Sequence, residues 1–229
     1  MSIHADHRQR LKQRFMREGL DHFDDLYILE LLLFYCIPRR DTNEIAHNLL
    51  NHFGNLPRVL EATADELKKV TGVGEGVTTF FALLQQVSRA YEIRRLDDVT
   101  EIKSGEDIKK LMKAHMRGLR NETVYLLCTD SKWKVLCVEE VGKGGVNSAN
   151  VSVRKIVEIA LAAKATTVIL GHNHPGGLAN PSAEDIAATE YIAKSLRAVD
   201  IQLADHVIVS EGECISLYES GLYRPNSMA

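Results

Sequence analysis

The 229-residue sequence predicts an α/β (mixed α+β) chain: an all-α N-terminal domain followed by a layer domain with a central mixed sheet flanked by helices. Three observations predict it. Residues 1 to about 95 carry apolar residues at helical spacing and few β-branched runs, as in DDLYILELLLFY and TNEIAHNLLNHF. A charged stretch beginning near Arg94, RRLDDVTEIKSGED, then interrupts the pattern. Beyond it the short β-rich segments VYLLCTD, VLCVEEV, TTVILG and ADHVIV alternate with the helical segments IKKLMKAHM, RKIVEIALAAKA and EDIAATEYIAKSLRAV, and such alternation packs as layers. The division that follows is a helical domain over 1–97, a sheet domain over 103–224 and a loose tail over 225–229.

Within the helical part, Pro38, the Gly54-Asn55-Leu56-Pro57 stretch and Gly72-Val73-Gly74 punctuate the helices. The apolar run Leu26 to Ile37 contains Glu30 and is too short to span a bilayer, so it reads as a buried core helix. Arg8, Arg10, Lys12, Arg14 and Arg17 form a basic run, read as one solvated helix face. The segment around 60–90, with ELKKVTGVGEGVTTFFALL at its centre, resembles a helix-hairpin-helix. Backbone N–H groups at such a turn can grip a phosphate. Glu75 follows the turn, however, and no Lys or Arg comes before Arg89. We read a structural hairpin, with a weak DNA contact through this domain as the alternative.

Composition bounds the function classes. With 45% hydrophobic and 26% charged residues the chain is neither disordered nor fibrous. A net charge of −3 supplies no bulk excess of cations for a phosphate backbone. Cys36, Cys128, Cys137 and Cys214 form no CxxC pair and sit among apolar neighbours, which implies buried free thiols in a reducing, cytoplasmic setting. The polar N-terminus, MSIHADHRQRLKQRF, does not read as a signal peptide, and no membrane association is expected. Nothing excludes an oligomer.

The segment that carries chemistry is GHNHPGGLANPSAEDIAATE, Gly171 to Glu190, at the C-terminal end of the apolar strand TTVIL. α/β proteins commonly build their sites there. His172 and His174 are two apart, so in an extended stretch both imidazoles project to one side and can reach one ion. Pro175 and Gly176-Gly177 turn the chain, and Pro181-Ser182 opens a helix with Asp185 in its first turn. Two nitrogens and one carboxylate oxygen, with a fourth position left for water, make a catalytic zinc set. Glu139 and Glu140 are the nearest upstream carboxylates suited to act as general base, and adjacent strand residues face opposite ways, so at most one points into the site. Ser182-x-x-Asp185 alone would be an ordinary capping box. The joint pattern H-x-H, seven residues, S, two residues, D between a strand and a helix is far more specific, and Ser182 is then also a candidate oxyanion donor. Asp205-His206 lies in an apolar strand; we read His206 as a hydrogen-bonded core residue, with orientation of a ligand as the alternative. The remaining histidines receive no function. HExxH and the H-x-E with P-C-x-x-C of zinc deaminases are absent, and the contiguous letters HNH do not form the ββα nuclease motif.

These residues match the JAMM motif of the JAB/MPN metalloprotease superfamily, and ILGHNHPGG, PSAEDIAAT and ADHVIV resemble the bacterial RadC proteins along nearly the whole chain. The resemblance implies a layer domain of cytidine deaminase-like architecture and one zinc ion per chain on His172, His174 and Asp185. Matching the family's glutamate, glycine and arginine to Glu139, Gly144 and Arg154 selects Glu139 as the catalytic base, with Ser182 assisting the oxyanion. The implied reaction is hydrolysis of a peptide or isopeptide bond in an unidentified protein or peptide; DNA repair with a vestigial or regulatory metal site is the alternative. RadC proteins usually have Ser where this chain has Gly176 and Thr where it has Gly145.

Overall fold

The computed structural model of the protein describes residues 3–96, 100–146, 151–210 and 213–225. Part of the charged stretch (97–99) and most of the expected tail (226–229) lie outside the described residues. The chain divides into two compact units, Met1–Ser88 and Arg89–Ala229.

The first unit is helical: α1 (Ile3–Glu18), α2 (Asp25–Cys36), α3 (Asn43–Phe53), α4 (Leu56–Glu61), α5 (Ala64–Leu67) and the first part of α6 (Glu75–Arg95). α2 begins where the Asp24 carboxylate accepts from the Tyr27 amide, and it buries Leu29, Leu31, Leu33 and Phe34. Leu29, Leu33, Leu49, Val59, Leu67 and Phe81 fill the core of this unit. Two cations of the basic run are drawn inward rather than solvated. Arg8 donates to the Ile37 carbonyl at 2.6 Å and lies over the Phe34 ring, and Arg14 lies over the Phe23 ring, because a guanidinium can stack on an aromatic face while its edge donates. Between α5 and α6, Gly72 has φ +91°, and a Cβ there would stand 2.7 Å from Ile45 Cγ1. The glycine of the hairpin turn is therefore required by packing within the unit.

The second unit continues with α7 (Gly105–Met116), β1 (Thr123–Thr129), β2 (Val135–Lys143), α8 (Val153–Ala162), β3 (Thr167–Asn173), α9 (Ala183–Arg197), β4 (Gln202–Val209) and β5 (Cys214–Ser216). The strands form one mixed sheet in the order β2-β1-β3-β4-β5. β3 and β4 are parallel, and α9 supplies the crossover such a pair needs; the other neighbours are antiparallel. β1 and β3 are buried at every residue because helices cover both faces. On one face α7 packs Ile108, Leu111 and Met112 against Tyr125, Leu127, Ile169 and Val207. On the other, Ile156 of α8 and Ile192 and Leu196 of α9 pack against Val124, Leu126, Val168 and Leu170. β5, only three residues long, leaves no periodicity that a sequence reading could detect.

No helix among the described residues is long and apolar enough to cross a membrane. All four cysteines are free.

Gly171 sets the distance between α7 and β3. A Cβ at this position would stand 2.6 Å from Met112 Sδ and 2.9 Å from Met116 Cε. Gly171→Ala is expected to lower stability by about 1–3 kcal/mol through overpacking. The measurement is urea unfolding, with a lower midpoint at unchanged slope.

Candidate metal centre

β3 ends at the site. His172 pairs in register with Val124 on one side and Ile208 on the other, which places it on the α8/α9 face of the sheet. The His174 amide donates to the Val209 carbonyl at 2.8 Å, extending the β3–β4 ladder beyond the strand's last residue. The i, i+2 spacing therefore holds, and the two Nε2 atoms approach to 2.8 Å. Gly176, at φ +66°, then reverses the chain, and the Leu178 carbonyl comes within 3.0 Å of His174 Nδ1. A carbonyl can only accept, so Nδ1 carries the His174 proton and Nε2 keeps its lone pair.

α9 brings the carboxylate. Ser182 is its N-cap and Asp185 its third residue, and the full capping box forms. The Asp185 amide donates to Ser182 Oγ at 3.0 Å, while Asp185 Oδ2 accepts from the Ser182 amide at 2.9 Å and from Ser182 Oγ at 2.6 Å. The cap is satisfied through Oδ2. Oδ1 is turned to His172 Nε2 at 3.4 Å, and Oδ2 lies 3.8 Å from His174 Nε2. The capping box and the approach of the same carboxylate to both imidazoles thus coexist.

One ligand atom from each of His172, His174 and Asp185 lies within 4.8 Å of the other two. Ligands bound about 2.0–2.2 Å from a tetrahedral zinc stand roughly 3.3 Å apart, so the donor set fits such an ion with little rearrangement. The protonation states agree. Burial pushes the His172 imidazole well below its ordinary value, the Asp185 carboxylate opposes this, and His174 adds to it. A neutral imidazole is the form that ligates. The His172 and Asp185 side chains are 1% and 9% exposed but that of His174 is 20% exposed, so solvent reaches the cluster from the His174 side.

The sheet separates the two candidate glutamates. Glu139 pairs with Leu126, whose side chain lies in the core on the α8/α9 face, the face of His172. Glu140 pairs with Tyr125, on the α7 face, and the Tyr125 hydroxyl donates to it at 3.5 Å. Val141 is an extra residue between the Tyr125–Glu140 and Val124–Gly142 pairs, a bulge at the end of β2 beside the site. Glu139 itself is exposed and is not among the three clustered groups. Arg154 pairs with Glu158 on an exposed face of α8, at 2.7 Å.

A family model described as a RadC-like JAB domain matches residues 102–222, more than half of the chain and nearly the whole sheet unit. The chain belongs to the RadC family. Its similarity to curated relatives runs along almost the full length of both partners. A UPF0758 protein of Fusobacterium nucleatum subsp. nucleatum is 35% identical over 223 residues, 94% of this chain and 96% of the relative. One of Ruegeria pomeroyi is 34% identical, with 94% and 96% covered, and one of Pseudomonas fluorescens 30% identical, with 93% and 95% covered.

Gly176 occupies a left-handed turn with open space about it, and a Cβ at Gly145 would stand 2.8 Å from Glu122 Oε2. Asp205 braces the sheet: it accepts from the His206 amide at 2.7 Å, Ser216 Oγ at 2.5 Å and the Tyr218 amide at 3.0 Å, tying β4 to β5, and burial raises its pKa. The His206 ring does more than fill the core, since its Nε2 lies 2.8 Å from His172 Nδ1. Sequence reasoning missed Thr189, which contacts the other nitrogen of that ring at 2.6 Å, and the Leu178 carbonyl. The one signal for Thr189 is its place a helical turn after Asp185.

Ser182→Ala removes the cap and both hydroxyl bonds to Asp185. It is expected to lower stability by about 1 kcal/mol in protein stripped of metal, read as a lower melting temperature.

Proposed function

We propose that this RadC protein is a zinc-dependent hydrolase of JAMM type, cleaving a peptide- or isopeptide-like amide bond. The observation that carries the reading is the convergence of two imidazole nitrogens and a carboxylate oxygen at the end of β3, reachable by solvent beside His174. His172, His174 and Asp185 would hold one ion per chain. Bound there, the ion would supply Lewis acidity that brings the pKa of water to roughly 7 and polarises a carbonyl.

The rest falls to side chains. Glu139, on the face of His172, takes a proton from the attacking water at its carboxylate and returns it to the departing amine. Ser182 Oγ now donates to Asp185 Oδ2, so its service to the developing oxyanion requires the hydroxyl to rotate away from that bond. The substrate is a protein or peptide whose amide enters from the His174 side. The alternative, DNA binding through the helical hairpin, gains no support: Gly72 is needed for packing on Ile45, and α6 opens on Glu75.

Purified protein is expected to hold about one zinc per chain by elemental analysis, and the His174→Ala, Asp185→Ala double variant to hold none while still folded. Failure of the wild-type protein to retain a divalent metal after loading overturns the reading. Glu139→Gln is expected to keep its metal and lose amide hydrolysis by about 10²–10⁴-fold, the usual weight of general acid–base catalysis.

A further inference from the structure

Behind His172 lies a chain of buried hydrogen bonds that no ligand motif contains. His172 Nδ1 meets His206 Nε2 at 2.8 Å, His206 Nδ1 meets Thr189 Oγ1 at 2.6 Å, and Thr189 Oγ1 meets the Asp185 carbonyl oxygen at 2.6 Å. His206 and Thr189 are fully buried and His172 is 1% exposed, so water does not substitute for any of these partners.

Such a chain can be ordered in two senses. In one, Thr189 donates to His206, His206 donates to His172, and the His172 proton sits on Nε2, facing His174. In the other, every proton points the opposite way and Nε2 is bare. The last contact decides. The Asp185 carbonyl has no proton and can only accept, so at 2.6 Å the Thr189 hydroxyl must donate to it. A threonine hydroxyl has a single proton. Thr189 Oγ1 therefore accepts from His206, whose Nδ1 carries the hydrogen. His206 Nε2 is then bare and accepts from His172 Nδ1–H, leaving the His172 Nε2 lone pair facing His174 Nε2 and Asp185 Oδ1.

We infer that His206 and Thr189 are positioning residues that lock His172 in its Nδ1–H tautomer, so that its Nε2 lone pair is permanently presented to the metal. The relay starts on the backbone of Asp185, the residue whose carboxylate completes the ligand set, so one turn of α9 places the oxygen ligand and orders the nitrogen ligand. The inference rests on the metal reading of the triad for its purpose, but not for the ordering itself, which is a property of the metal-free protein.

The test uses the full chain in two measurements. Long-range ¹H–¹⁵N NMR spectra of the metal-free protein report the His172 tautomer, and competition with a chromophoric chelator reports zinc affinity. Wild type should show His172 as the Nδ1–H tautomer. His206→Leu removes the acceptor and should mix the tautomers and weaken zinc binding about 10–100-fold, the usual weight of such backing partners. His206→Gln guards against misfolding: its amide oxygen can accept from His172 while its NH₂ donates to Thr189, and it should recover most of the affinity. Thr189→Val should weaken binding and Thr189→Ser restore it. An Nε2–H tautomer in wild type, or wild-type affinity in a folded His206→Leu protein, overturns the inference. An Nδ1–H tautomer in a wild-type protein that takes up no zinc overturns the metal reading instead.

Discussion

The site depends on one carboxylate that serves two structures at once. Asp185 Oδ2 closes the capping box that starts α9, and Oδ1 faces His172. Because the cap fixes the Asp185 rotamer, the second oxygen does not need to be placed by a flexible loop. The Asp185 backbone carbonyl in turn anchors Thr189, one turn further along. Cap, candidate ligand and hydrogen-bond anchor are thus a single residue on a helix whose own position is set by packing Ile192 and Leu196 on the sheet.

β3 supplies the other half. As a central strand between β1 and β4 it has neighbours on both edges, and helices on both faces, so its backbone has little freedom where His172 leaves it. Its parallel pairing with β4 brings His206 beside Leu170 and Ile208 beside His172. His172 is thereby backed by a ring from the adjacent strand, while His174, one bond beyond the strand and more exposed, lies at the solvent side. The cluster thus presents one rigid, buried nitrogen and one that solvent reaches.

Electrostatics favour the same use. Two imidazole nitrogens 2.8 Å apart cannot both be cationic without a large repulsion, and burial disfavours charge on His172 and His206 alike. The anionic Asp185 oxygen next to two lone pairs makes a small region of negative potential. A cation is the species that relieves it.

Much of this was legible in the chain. The layer fold follows from strands and helices alternating after residue 103, and β1, β2, β3 and β4 fall on the segments whose β-rich texture marks them. The cluster of His172, His174 and Asp185 was legible because its spacings are local: period two along a strand, then a helix cap whose residues are three apart. Those distances are set by backbone geometry that any segment of this pattern adopts. Glu139 and Glu140 could not be told apart by local geometry, since either face of β2 could have met the site; register with Leu126 and Tyr125 separates them, and register is a property of the assembled sheet. For His206 the sequence offered orientation of a ligand only as the second reading, and the contact of Thr189 was out of reach: the two stand 34 and 17 residues from His172, and only the packed sheet and α9 bring them behind it. The sequence by itself determined the fold class and the local ligand pattern, because both are written in short-range periodicity. Tertiary structure alone decided which residues stand behind that pattern, because hydrogen bonds between elements depend on how the sheet and α9 pack.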